Sequence, residues 1–105
     1  MKLRGPLIVV AGLVALDLHA GGLKYAVIPD DGFVPDAKTA IQIALAVWTP
    51  IYGEKVLATE KPYHASLKDG VWTVEGSVPP GDEGGAALAE ISKSDGRIIR
   101  VNHDQ

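Results

Sequence analysis

From Asp36 to Trp48 the apolar residues recur at helical spacing, at Ala37, Ala40, Ile41, Ala44, Leu45 and Trp48. Ile43, Ala46 and Val47 widen that stripe, and only Lys38, Thr39 and Gln42 interrupt it. A helix apolar almost all round predicts cover on most of its sides. Asp36 is suited to cap it, because its carboxylate can accept from the free N–H groups of the first turn. Phe33-Val34 places an apolar residue ahead of the cap, where it can staple onto the helix around Ala40. Thr49-Pro50 predicts a stop or a kink, since proline disfavours helical geometry in the residue before it. Pro50 to Gly53 then reads as one further turn, with Gly53 as a left-handed stop.

The period changes from helical to alternating after Gly53. A first strand is expected over Val56 to Leu67 and a second over Val71 to Val78. Asp69-Gly70 between them is the signal for a two-residue type I′ turn. That turn pairs Lys68 with Val71, Leu67 with Trp72, Ala65 with Val74 and Tyr63 with Gly76. Those inner partners are apolar or small, whereas Ser66 with Thr73 and His64 with Glu75 form a polar face. Gly76 opposite Tyr63 leaves room for the ring, and Pro62 marks a bulge or an edge. An acidic, glycine-flanked loop, Pro79 to Gly85, leads to a second hairpin, Ala86 to Lys93 and Arg97 to Asn102. A three-residue loop, Ser94-Asp95-Gly96, with Gly96 left-handed in a bulge, separates its faces. It pairs Lys93 with Arg97, Ile91 with Ile99, Glu90 with Arg100 and Ala89 with Val101. Helix, strand, strand, strand, strand is the order of a two-layer α+β domain.

Ahead of this domain, Met1-Lys2-Leu3-Arg4 is a positive start, Leu7 to Leu16 is apolar, and Leu18-His19-Ala20 is a loose cleavage site. Residues 1–20 therefore read as a signal peptide, with an N-terminal apolar segment of the domain as the alternative. A signal implies a periplasmic or exported protein, and without one the chain is cytoplasmic. The run is too short for a stable membrane span, which needs about 20 apolar residues. Residues 21–29 form a linker or, over Lys24 to Ile28, an edge strand, and 30–105 form the domain.

Charge and composition narrow the chemistry. A net charge of −3 argues against nucleic acid. The absence of cysteine removes a disulfide framework, a thiolate zinc site and a cysteine nucleophile. His64 facing Glu75, with Ser66 and Ser77 nearby, is the best polar group on the sheet. As a general base, His64 would need a pocket and a third partner, so an exposed cross-strand pair is the plainer reading. His103-Asp104 with His64 lacks the ligand spacing of a metal site. Gly81 to Gly85 has no lysine and opens no helix, so it is not a phosphate loop. Trp48 and Trp72 lie on apolar faces and read as core. No cofactor is expected.

Several pieces in order carry a resemblance. They are Gly32-Phe33-Val34-Pro35-Asp36 before Thr39 to Ala44, then Pro50-Ile51-Tyr52-Gly53-Glu54, then Lys61-Pro62-Tyr63-His64-Ala65. Gly70 to Pro79, Gly84-Gly85 and Glu90 to Ile99 complete the series. Together they resemble the bacterial immunity proteins with a nuclear transport factor 2-like fold, the YbbC/YhhH type. The resemblance implies a cystatin-like architecture, one main helix packed on a curved four-stranded antiparallel sheet. It also implies a non-catalytic protein, not an enzyme, that binds and neutralises a cognate polymorphic toxin of the contact-dependent or Rhs type. An acidic chain fits a basic toxin. The residues a partner would meet are His64, Glu75, Asp82, Glu83 and Glu90. A PepSY-like exported, peptidase-regulating or envelope domain is the alternative, because it shares the strand order and the ending. A small enzyme on a cystatin-like fold is a third, and Tyr63 is the one acid or base on the expected core face.

Overall fold

The computed structural model describes residues 26–103. The expected signal segment, 1–20, lies outside them. Of the expected edge strand, residues 26–28 carry no strand and the rest lies outside.

Helix α1, Ala37–Tyr52, begins where the cap predicts. Asp36 is extended, and its Oδ1 accepts from the Thr39 N–H at 2.8 Å and from the Thr39 hydroxyl at 2.6 Å. Those bonds, the hydroxyl's first, hold the Asp36 carboxyl below the usual carboxylate range. The helix does not stop at Thr49. It runs on through Pro50, which brings no N–H to the i−4 carbonyl. The Thr49 hydroxyl donates to the Leu45 carbonyl at 2.6 Å, and the Gly53 N–H returns to Thr49 at 2.9 Å. These bonds carry the turn across the proline. Gly53 has φ 91° and ψ 152°, a positive φ with an extended ψ rather than the expected left-handed stop.

That bend at Gly53 leads directly into a second helix, α2, Glu54–Ala58, where a strand was expected from Val56. Glu-Lys-Val-Leu-Ala is mostly helix-forming, and Glu54 sits favourably at the positive N-terminal end. Leu57 turns into the core, whereas Val56 stays 43% exposed.

Strands β1 (His64–Lys68), β2 (Val71–Glu75), β3 (Ala87–Ser92) and β4 (Ile98–His103) form one antiparallel sheet in that order, not closed into a barrel. The β1–β2 register is the expected one from Lys68↔Val71 to His64↔Glu75. Asp69 (φ 49°) and Gly70 (φ 76°) are both positive, as the type I′ turn demands.

The β3–β4 hairpin keeps Glu90↔Arg100 and Ala89↔Val101 but departs nearer its turn. Ile91 faces Ile98 rather than Ile99, and the Ser92 N–H donates to Arg97 at 2.9 Å. The loop is therefore Lys93 to Gly96, and a register shift beside Ile91 absorbs the extra residue. Lys93 has other partners: its N–H donates to Gly70 at 2.9 Å, and its carbonyl accepts from Val34 at 3.0 Å. Gly96 keeps its expected positive φ, 75°.

One face of α1 packs across β1, β2 and β3. Ala40, Ala44 and Trp48 are fully buried there against Val74, Ala89 and Ile91. Both tryptophans are core, and their N–H groups are satisfied: Trp72 donates to Val34 at 2.8 Å and Trp48 to Leu88 at 3.2 Å. The helix is covered on one side rather than on most, and Ile51 is 58% exposed. Much of its apolar stripe is alanine, which contributes little area that needs burying.

Candidate functional site

The sheet face opposite α1 carries three of the five partner-facing residues expected from sequence. His64 and Glu75 stand directly across from one another on β1 and β2, both exposed. They form neither a hydrogen bond nor an ion pair. Glu90 on β3 meets Arg100 on β4 through two contacts of 3.3 Å. That pair is half open to solvent, so it contributes at most about 1 kcal/mol.

The other two residues lie elsewhere. Asp82 and Glu83 are exposed on the loop between β2 and β3, where the Asp82 N–H closes a turn onto Pro79 at 3.1 Å. Gly81 in that turn has φ 87°. The five residues therefore form two separate patches, one on the open face and one on the loop tip.

A different pair lies beneath that loop, one that sequence reasoning missed. Glu60 is 2% exposed. Its Oε1 accepts from the Ala87 N–H at 2.8 Å, and its Oε2 is 2.7 Å from His103 Nε2. The Glu60 carbonyl also accepts from the Ser77 N–H at 2.7 Å. One residue thus ties the end of α2 to the chain after β2, the start of β3 and the end of β4. Gly76 makes this possible. A Cβ there would lie 2.7 Å from Glu60 Oε1, so the glycine opens space for Glu60 and not, as expected, for Tyr63. The Tyr63 hydroxyl instead donates to the Leu57 carbonyl at 2.6 Å. Burial, and then the nearby Glu60 charge, push the Tyr63 phenol up. The Tyr52 ring packs on His103 at 5.0 Å.

Glu60 and His103 are 43 positions apart, and no local pattern joins them. The one available signal was Gly76 itself, a glycine in a strand that marks close approach.

Glu60 and His103 border an open cleft of about 390 Å³, with Val56, Thr59, Pro79 and Asp82 around it. A buried carboxylate fixing a histidine is half of a general-base device. The nearby hydroxyls are engaged with backbone: Thr59 Oγ1 donates to Val56 and Ser77 Oγ to Pro62. The arrangement braces the strand ends and presents no activated nucleophile. His64 and His103 stand on opposite edge strands, so they do not share a metal. No group of three candidate metal ligands occurs among the described residues.

Residues 39–105 match the model of the NTF2 fold immunity protein family, Imm-NTF2-2. The chain is 32% identical over 71 residues to uncharacterized protein YhhH of Escherichia coli (strain K12), covering 67% of this chain and 56% of that one. It is 34% identical over 67 residues to uncharacterized protein YbbC of the same strain, covering 63% of this chain and 55% of that one. The chain thus spans little more than half the length of these relatives. No solved structure matches it. The chain belongs to the NTF2 fold immunity protein family.

Proposed function

We propose that this member of the NTF2 fold immunity family binds a cognate polymorphic toxin, of the contact-dependent or Rhs type, and neutralises it without catalysis. The observation that carries the reading is the family match, which takes in nearly all of α1 and the whole sheet. The site geometry supports a binding role. Glu60 and His103 are spent on bracing the fold, while Asp82 and Glu83 stand free on a loop that can adapt to a partner. His64, Glu75 and Glu90 on the open sheet face are the second surface we assign to partner contact. The apolar run Leu7 to Leu16 behind Lys2 and Arg4 supports export, so we assign the neutralising step to the periplasm.

The test is co-expression with the toxin domain encoded beside this chain. The wild-type chain protects the cell and co-purifies with the toxin. If the toxin is basic, reversing Asp82 and Glu83 to lysine slows association by about tenfold at low salt and less at high salt. The melting curve stays within about 0.5 kcal/mol of wild type. Wild-type association rates in the double variant would remove the loop from the interface.

A further inference from the structure

We infer that the cleft under the Pro79–Gly85 loop receives a basic side chain of the partner, with Asp82 holding its cationic head. The inference deepens the immunity reading and rests on it. Three observations carry it. The cleft has about 390 Å³ of open volume, room for one long side chain with some water. Its walls are mixed: Val56, 43% exposed, and Pro79 offer apolar surface to an aliphatic stem. Its one uncommitted charge is acidic. Asp82 lines the cleft, its carboxylate has no hydrogen-bond or ion-pair partner among the described residues, and the exposed Glu83 follows it. The acid deeper in, Glu60, is already engaged by His103 and the Ala87 N–H, so it fixes the floor and leaves the free charge to Asp82. Lysine and arginine have this form, an apolar stem ending in a cation, and an acidic side chain is repelled at the same mouth.

The experiment titrates the full chain with N-acetylarginine amide, with N-acetylaspartate amide as control, and follows backbone amide and histidine resonances by NMR. The arginine probe is expected to give saturable shifts at Gly84, Gly85 and His103, and the aspartate probe none. Asp82→Asn weakens the arginine response about threefold, the size of one solvent-exposed charged contact. Asp69→Asn, in the β1–β2 turn and outside both proposed surfaces, leaves it unchanged. Equal responses to both probes, no saturable response, or an Asp82→Asn titration like wild type would overturn the cleft assignment. Toxin co-expression separates this from the parent reading. A wild-type chain that fails to protect rejects the immunity function. A wild-type chain that protects while the arginine titration is silent rejects the cleft alone.

Discussion

Two histidine–glutamate pairs occupy this domain, and they differ in everything except residue type. His64 and Glu75 are cross-strand neighbours on the open face, exposed and not bonded to one another. Glu60 and His103 are 43 positions apart, and their side chains lie 2.7 Å from each other with Glu60 almost wholly buried. Register brings the His64 and Glu75 Cβ atoms close, but water competes for that exposed pair and leaves it little net gain. The buried pair has lost its water, so each polar atom must be met by protein. The lesson is functional as well. The exposed pair is free to meet a partner, and the buried one is committed to holding strand ends together.

The largest expected effect separates the two. Glu60→Ala leaves His103 and the Ala87 N–H without their acceptor, at a cost of about 2–4 kcal/mol. Glu75→Ala stays within about 0.5 kcal/mol. Urea denaturation measures both, and equal losses would break the distinction between the pairs.

A smaller loss sharpens the account of the buried corner. Gly76→Ala places its Cβ 2.7 Å from Glu60 Oε1 and 2.9 Å from Glu60 Cβ, so we expect it to cost about 1–3 kcal/mol. In a Glu60→Ala background the Oε1 clash is gone, and the added cost should fall. Additive losses in the double mutant would show that the clash is with the Cβ and backbone of residue 60, which alanine keeps, rather than with the Glu60 carboxylate.

The smallest effect comes from exposed carboxylates and depends on pH. Asp36 is lowered by the Thr39 hydroxyl and then the Thr39 N–H. Asp95 is lowered first by the Arg97 N–H, which it accepts at 3.0 Å. A depressed folded value means stability present above the unfolded value, 3.8, and lost as pH falls through the folded one. The melting temperature of wild type should therefore drop below about pH 4 more steeply than that of Asp36→Asn, which keeps a capping oxygen without the titration. Parallel curves would show that the cap carries no ionic component.

Much of the fold was legible because its causes are local. The Asp69-Gly70 turn fixes a register by geometry alone, and every residue of β1 and β2 follows it. Asp36 announces the start of α1 through its own short carboxylate. One misreading falls where a distant group decides, and another where local bonds outweigh a proline. Lys93 hydrogen-bonds to Gly70 and Val34, so the second hairpin loop lengthens by one residue. Thr49 bonding back to Leu45, and Gly53 to Thr49, accompany the helix past Pro50. The division of the proposed surface was legible too: the registers put Glu75 and Glu90 on the open sheet face, and Asp82 and Glu83 fall in the glycine-flanked loop.

The amino-acid sequence by itself determined the helix start, the number and order of the strands, the first hairpin's register, the two core tryptophans and the ordered pieces that resemble the family. All but the resemblance rest on periodicity, turn chemistry or capping within a few residues. Only the tertiary structure decided that Glu60 is buried, that His103 completes it, that Gly76 is empty on its account, and that a cleft opens beside Asp82. Those four facts depend on segments far apart in the chain meeting at one corner. Burial there turns a carboxylate of ordinary appearance into one that must be paired.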